Sequence, residues 1–278
     1  MPNASPAGRR PDPNALSIAF SNRSLCTRSG TCIGVCPEDA ISLDEHYYPV
    51  LDESLCTSCG KCAQVCPGGS VSFSKLADQV FGQTGDETGF DGRVLDTYVG
   101  YSTDDEIRSG GAGGGVITAL LYDLLKHGDV TGCVVTRMCP EKPWLAEPFI
   151  ATTREDLVRS QGSRYTVVPL NRILRLIRTQ PGPVAVAALP CHIHGLRQAM
   201  AHDPEIKNKL YGIVGLFCGG ALEVNVVPEL LSTKGIRKEE IADFQFRGGE
   251  WPGRMRAVLK NGEIRDLHYS NYKDGAYN

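Results

Sequence analysis

The chain has 278 residues, 29 Lys and Arg against 32 Asp and Glu, a formal charge of −3, and 7% aromatic residues. That near-balance supplies no basic face for nucleic acid and no acidic solvated arm. The longest nearly apolar stretch, 211–224, is broken by four glycines and falls short of the roughly 18 residues a spanning helix needs, so no helical membrane span is expected.

Residues 1–20 are rich in Pro, Ala and Asn and carry Arg9-Arg10 without a following apolar core. They read as a flexible tail and not as a signal peptide. The cysteines come next. Of 11, seven lie between Cys26 and Cys66. Tight clustering in a long chain without an export signal points to metal rather than to a disulfide scaffold.

The second cysteine run is Cys56-x2-Cys59-x2-Cys62-x3-Cys66-Pro67, the spacing of bacterial ferredoxins. Three thiolates from one loop face one cluster, and the fourth, before proline, belongs to the other cluster. The first run is Cys26, Cys32, Cys36-Pro37, with Ser29 standing where its second cysteine belongs. Crossed ligation then predicts unequal sites. Cys56, Cys59, Cys62 and Cys36 form a complete set. Cys26, Cys32 and Cys66 form the other, with Ser29 at the open corner. A serine oxygen is a harder and weaker iron ligand than thiolate. The serine-containing site is therefore expected to be labile, three-iron, or held by the serine alkoxide. Apolar segments Ala40-Ile41-Ser42-Leu43 and Ser70-Val71-Ser72-Phe73 follow the two runs and extend the internal repeat.

A polar, Gly-rich stretch over 76–93 reads as a linker. Beyond it, helix and strand patterns alternate. Ser109-Gly110-Gly111-Ala112-Gly113-Gly114-Gly115 opens a helix expected over 116–126, with Val116, Ala119, Leu120 and Leu124 on one face. Such a loop lets backbone N–H groups approach a phosphate at the positive helix end. It is neither a Walker loop nor a convincing GxGxxG. A buried strand is expected at 130–136. A capping box of Thr152 and Glu155 opens a helix to 160. Gly162-Ser163-Arg164-Tyr165 is a loop whose arginine could meet a phosphate. A helix over 171–179 places Ile173, Leu174 and Ile177 inward.

The continuous apolar run 184–189 reads as a strand covered on both faces. It ends at Pro190-Cys191-His192, before a helix. Residues 213–217 repeat this arrangement and end at Cys218. In open α/β sheets ligands sit beyond such strand ends, which favours Cys191 and Cys218 as functional. His192 and His194 flank the helix start, where a cofactor contact and a capping role are both open. Cys133, inside an apolar strand, reads as core, and Cys139 as a loop residue. The resulting fold class is α+β and α/β: an N-terminal two-cluster ferredoxin-like module over 21–75, a linker over 76–97, and an α/β domain over 98–278 with a mixed sheet flanked by helices.

In order, Ser109-Gly110-Gly111 with Thr118, Gly162-Ser163-Arg164-Tyr165, Leu189-Pro190-Cys191-His192-Ile193, Gly215-Leu216-Phe217-Cys218-Gly219 and Phe246-Arg247-Gly248 follow the cysteine repeat. From about residue 21 onward the chain resembles the coenzyme F420-reducing hydrogenase/dehydrogenase beta-subunit family. That resemblance implies an iron–sulfur flavoprotein oxidoreductase. It would bind FAD and two 4Fe-4S clusters and relay electrons to coenzyme F420 or another two-electron carrier. It would work beside hydrogenase or dehydrogenase subunits or another redox partner. Oxygen-sensitive clusters and the lack of an export signal separately lead to the expectation of a cytoplasmic setting.

A flavin that holds one or two electrons would bridge one-electron clusters and a hydride acceptor. On this resemblance the flavin site draws on Ser109, Gly110, Gly111, Gly113, Gly114, Thr118, Gly162, Ser163, Arg164, Tyr165, Pro190 and His192. The family pattern continues with a further Cys-x-x-Cys segment, so this chain is expected to be truncated. Cys191 and Cys218 would then belong to a third cluster, completed by later cysteines. The alternatives are a ferredoxin-dependent reductase of an organic substrate such as a tetrapyrrole, and a non-enzymatic electron-transfer subunit.

Overall fold

The computed structural model describes residues 12–69, 71–82 and 94–267. In the N-terminal module, α1 (Thr31–Val35) and α2 (Lys61–Gln64) follow the two cysteine loops, and β1 (Ile41–Leu43) pairs antiparallel with β2 (Pro49–Leu51). Each helix starts after a left-handed glycine, Gly30 (φ 78°) or Gly60 (φ 79°). That conformation costs glycine little and folds the next cysteine back over its loop.

The repeat stops at those helices. Phe73 opens α3 (Phe73–Phe81) instead of a second strand, because Ser72 accepts a hydrogen bond from the Lys75 N–H and caps a helix. Ser70 lies outside the described residues. The helix also occupies the start of the expected linker, whose residues 83–93 lie outside the described residues too. The expectation of a flexible tail fails over 12–20. Leu16 and Phe20 pack against the cluster of Cys32, Ile33, Ile41 and Cys62, and that apolar contact holds the segment on the module.

The larger unit runs α4 (Asp105–Gly110), α5 (Val116–His127), β3 (Gly132–Met138), β4 (Ala146–Ala151), α6 (Arg154–Arg159), α7 (Leu174–Arg178), β5 (Val184–Ala188), α8 (Pro190–His202), α9 (Pro204–Lys209), β6 (Leu210–Gly215), α10 (Val226–Ser232), β7 (Ile241–Gly248), β8 (Arg254–Leu259) and β9 (Ile264–Leu267). The first sheet has the order β4-β3-β5-β6. Its β3–β5 and β5–β6 pairs are parallel and its β3–β4 pair antiparallel, a mixed sheet as expected. Strands β7, β8 and β9 form a separate antiparallel sheet around Phe244, Phe246 and Met255.

Three local expectations shift. Helix α5 buries Leu121, flanked by Ile117, Leu124 and Leu125, and leaves Val116 and Leu120 exposed. Its sequence carries two apolar stripes, and contact with Cys133 and Ala185 selects one of them. Helix α6 is capped one residue late. Thr153 Oγ1 accepts from the Asp156 N–H at 3.1 Å, and the Asp156 carboxylate accepts from the Thr152 N–H at 3.3 Å. The helix expected over 171–179 divides into a 3-10 turn, Leu170–Ile173, and α7, although Ile173, Leu174 and Ile177 do point inward.

The two units share a core. Val35 and Val65, the residues before Cys36 and Cys66, pack with Val134, Leu174, Val186 and Leu196. Close backbone approach makes this possible. A Cβ on Gly34 would fall 2.2 Å from the Asn171 carbonyl oxygen, so only glycine fits. Across the junction the Asn171 N–H donates to the Ser29 carbonyl at 2.8 Å, and Arg175 Nε donates to the Ile33 carbonyl at 3.0 Å. Arg28 donates from both terminal nitrogens to the Glu223 carboxylate at 2.7 and 2.8 Å.

Candidate functional site

The two cysteine loops fold alike. Arg28 (φ 52°) and Ser58 (φ 54°), two residues after Cys26 and Cys56, both adopt the left-handed region. Non-glycine residues rarely sit there. Here the turn aims the Arg28 N–H at Cys26 Sγ (3.4 Å) and the Ser58 N–H at Cys56 Sγ (3.5 Å). An N–H aimed at a sulfur favours charge on that sulfur.

Two cavities separate the ligands into two sets. One encloses about 360 Å³, solvent mouth included, and is lined by Cys36, Cys56, Cys59 and Cys62 together with Ala15, Leu16 and Ile41. The other encloses about 330 Å³ and is lined by Cys26, Cys32, Cys66 and Ser29, with Ser17 and Tyr47 at its wall. Cys36 thus faces the second loop's pocket and Cys66 the first loop's pocket, the crossed grouping that the spacing predicts. Among the described residues, no three His, Cys, Asp or Glu side chains converge on a point that would hold a single metal ion. Ligands of a four-iron cube instead stand at its separate corners, and the donor sets fit such cubes.

Burial pushes the Cys32 thiol well above its usual range, with neighbouring Cys66, Cys26 and Cys62 adding to the effect. Burial raises Cys26 and Cys62 as well. An iron ligand must shed its proton, so these thiols favour metal-bound over free thiolate. Two hydroxyls support the first pocket. Ser17, 1% exposed, donates from Oγ to Cys66 Sγ at 3.1 Å. Ser29 Oγ lies 2.9 Å from Thr31 Oγ1, which accepts from Asn171 Nδ2 at 2.8 Å. Spacing singles out Ser29. Ser17 and Asn171 carry no sequence signal, because their roles come from contacts across 49 and 140 residues.

The structure also brings the two glycine loops together. Gln161 Nε2 donates to the Ile107 carbonyl at 2.7 Å, and Gln161 Oε1 lies where a Cβ on Gly110 would sit, 2.5 Å away. That Oε1 is buried without a hydrogen-bond partner. Part of the glycine pattern serves packing, since a Cβ on Gly115 would fall 2.4 Å from the Ile107 carbonyl oxygen. Gly113 and Gly162 instead face open space. Helix α5 starts at Gly115 with no side-chain cap, and Thr118 lies in its first turn, half-buried. Ser109 donates back into α4, to the Glu106 carbonyl at 3.3 Å.

Arg164 turns inward. Its Nη1 bonds the Ser160, Gln161 and Gly162 carbonyls at the end of α6. Burial pushes its guanidinium down to about 10, which leaves it cationic at neutral pH. It closes the loop as a C-terminal cap. Tyr165 Oη accepts from Arg247 Nε at 2.9 Å and fixes that loop to β7.

His192 is buried and both ring nitrogens are engaged. Nε2 meets the Val168 carbonyl at 3.0 Å, and Nδ1 accepts from the Leu189 N–H at 3.4 Å. Burial holds the imidazole down at about 4, hence neutral. Of the two roles open to His192, this is the capping one, and the ring has no nitrogen left for a cofactor. Pro190 opens α8 at the strand end and is exposed. Cys191, half-buried, stands beside it and within electrostatic reach of the exposed Cys218. Cys133 is core, 0% exposed, with its thiol raised to about 11 by burial. Cys139 approaches Glu141 at 3.4 Å in the loop after β3.

These features coincide with known sequences. The N-terminal part of the family described as "Coenzyme F420 hydrogenase/dehydrogenase, beta subunit" matches residues 97–175, and its C-terminal part matches residues 182–277. A 4Fe-4S dicluster domain matches residues 25–70. The chain belongs to the coenzyme F420 hydrogenase/dehydrogenase beta-subunit family and carries an iron–sulfur dicluster module.

It is 28% identical over 263 residues to the coenzyme F420-dependent sulfite reductase of Methanocaldococcus jannaschii, covering 90% of this chain and 38% of that protein. It is 30% identical over 132 residues to the beta chain of the coenzyme F420 hydrogenase of Methanosarcina barkeri, covering 46% of this chain and 45% of that one. A component of the F(420)H(2) dehydrogenase of Methanosarcina mazei is 24% identical over 249 residues, 87% of this chain and 66% of that component. The chain thus spans less than half the length of the first two relatives. A solved structure of the F420-reducing [NiFe] hydrogenase complex from Methanosarcina barkeri matches at 24% identity and TM-score 0.47, over 62% of this chain and 60% of that one. No helix among the described residues is long and apolar enough to cross a membrane.

Proposed function

We propose that the chain is an electron-relay subunit that links two iron–sulfur clusters to coenzyme F420 through bound FAD. The observation that carries this reading is the shared core. Val35 and Val65 anchor both cysteine loops in the same apolar cluster as β5 and α8, so the cluster module and the α/β unit are held as neighbours. A wire of this kind needs fixed distances, and a packed junction supplies them.

Clusters exchange single electrons, and a flavin exchanges one or two. The chain's residues supply the placement. Cys36, Cys56, Cys59 and Cys62 would hold one cluster, and Cys26, Cys32 and Cys66 the other. The uncapped start of α5 offers free N–H groups to a phosphate of the flavin, beside the open faces of Gly113 and Gly162. Gln161 Oε1, an unpaired acceptor between the two loops, suits a donor on that ligand. The family relatives named for F420-dependent sulfite reduction, hydrogenase and dehydrogenase activity favour F420 as the two-electron partner. They favour a place beside other subunits as well.

The test is anaerobic analysis of purified protein for iron, sulfide and flavin, followed by mixing with F420 and a reductant. Near-stoichiometric FAD, roughly eight irons for two four-iron clusters, and loss of F420 absorbance support the reading. Bound flavin without reaction with F420 favours a ferredoxin-dependent reductase of another organic substrate. Iron without flavin leaves a non-enzymatic electron-transfer subunit, and little iron refutes the relay altogether.

A further inference from the structure

We propose that Ser29 supplies the fourth iron ligand of the first cluster, and that Thr31 and Asn171 are positioning residues that present its oxygen. This rests on the dicluster reading and settles which of three outcomes the missing cysteine has. Ser29 follows the same backbone path as Cys59, between a left-handed Arg28 or Ser58 and a left-handed Gly30 or Gly60. It lines the pocket of Cys26, Cys32 and Cys66, and is itself 5% exposed. Ser29 is therefore a buried wall residue of the pocket that has only three thiolates.

The hydrogen-bond chain behind it has a defined direction. Asn171 Nδ2 contacts both Thr31 Oγ1 (2.8 Å) and the His192 carbonyl (2.9 Å). A carbonyl only accepts, so the amide nitrogen faces it, and both amide hydrogens are thereby assigned. Thr31 Oγ1 accepts one of them. Its own hydrogen is then directed to Ser29 Oγ, 2.9 Å away. Thr31 and Asn171 are 1% and 0% exposed, so neither side chain reaches bulk solvent.

Ser29 Oγ therefore receives a hydrogen bond from the protein side, which stabilises negative charge on the oxygen and leaves a lone pair for the pocket. On loading, the Ser29 O–H bond breaks, an oxygen–iron bond forms, and the proton leaves to solvent, as it does for each ligand thiol. No electron changes hands in this step. An oxygen ligand is harder than sulfur, so this cluster differs from its all-thiolate neighbour.

The experiment loads the full chain anaerobically with iron and sulfide and reads iron content with electron paramagnetic resonance and Mössbauer spectra. Wild type is expected to hold two four-iron clusters, without the paramagnetic signal of an oxidised three-iron cluster. Ser29→Ala is expected to lose one iron per chain and to show that signal. Ser29→Cys should keep the full load and make the two clusters alike. Thr31→Val, nearly isosteric, should give a mixture of three- and four-iron forms at the first site with the second site intact.

A three-iron signal from wild type overturns the proposal, and so does a full four-iron load in Ser29→Ala, since solvent then fills the corner. Absence of the all-cysteine cluster from wild type is a different result. It refutes the dicluster reading, and with it this proposal, and it is recognised by the missing all-thiolate spectrum. The Ser29→Cys variant guards against a Ser29→Ala chain that does not fold.

Discussion

Replacing Gly195 by alanine tests the junction between the two units, because two physical effects predict opposite signs. Gly195 lies inside α8, where Gly→Ala ordinarily stabilises a helix by about 1 kcal/mol. Here an added Cβ would stand 2.2 Å from Thr31 Oγ1 and 2.8 Å from Asn171 Nδ2. Ordinary contact begins near 3.4 Å, so the hydroxyl must retreat by about 1.2 Å or the helix must lift. Either movement breaks the Asn171 bond to Thr31, and lifting α8 also strains the one to the His192 carbonyl.

Leaving buried polar groups unpaired costs roughly 1–3 kcal/mol each. Overpacking a tight contact adds about 1–3 kcal/mol. After subtracting the helix gain, the variant should be less stable by about 1–5 kcal/mol, a fall of roughly 2–20 °C in Tm for a chain of this size. Thermal unfolding of the iron-loaded protein, followed by circular dichroism, measures it, with iron retention as a second reading. A Tm equal to or above that of wild type would refute the close packing of α8 on α1.

Further outcomes follow from the same contacts. Cys36→Ala should destroy the cluster of the second loop, and Cys66→Ala that of the first, as the pocket linings require. Spectra that assign each loss to the cysteine's own loop would sink the crossed arrangement. Ser17→Ala removes the 3.1 Å hydrogen bond to Cys66 Sγ. With a bond of about 1–2 kcal/mol favouring the more negative, reduced cluster, the first cluster's potential should fall by roughly 40–90 mV for one electron. An unchanged potential in a redox titration would count against that bond.

Asp203 gives a pH test. Burial raises its carboxyl, but the hydrogen bond from Arg178 and the N–H groups of Ile206 and Glu205 outweigh it, and the net value lies below the usual carboxylate range. Because the folded value is depressed, its stabilisation is present above about pH 4 and fades as pH falls through the folded value. Because Asn keeps the cap, the stability difference between wild type and Asp203→Asn, by urea denaturation, should be about 0.3–1 kcal/mol at neutral pH and shrink on acidification. A difference that is constant with pH would contradict the pairing.

Features set by short-range spacing were legible in the sequence. The offset of 30 residues between Cys26 and Cys56 fixes two like loops, and the 184–189 run marks β5 within a residue of its end. Features set by partners were not. Residues 12–20 look like a tail because they continue a Pro- and Asn-rich start and their apolar run, 16–20, is short, yet Leu16 and Phe20 suffice once the module offers an apolar wall. Helix α5 carries two possible apolar stripes, and only the sheet chooses between them. Thr152 and Thr153 each stand three residues before an acid, so the pattern admits both caps. His192 sits beside Cys191 at a strand end, and sequence position alone leaves both roles open to it. Only the Val168 carbonyl, 24 residues away, takes its second nitrogen.

Glycine is where this distinction has the most consequence for function. The glycine-rich stretch 109–115 invites a phosphate reading as a whole, but its members divide. Gly115 is held by the Ile107 carbonyl and Gly111 by the backbone of Gly115, so close packing alone accounts for both. Gly113 has no neighbour that a side chain would strike. A bulkier residue there should be harmless to stability, whereas at Gly115 it cannot be, since φ is 74° and the carbonyl is 2.4 Å from any Cβ. Gly113→Val therefore isolates the ligand question. If the uncapped start of α5 receives a phosphate, this substitution lowers bound flavin several-fold while iron content and Tm stay at wild-type values. If flavin content is unaffected, the glycines of this loop serve the α4–α5 turn, and the two-electron site lies elsewhere on the chain.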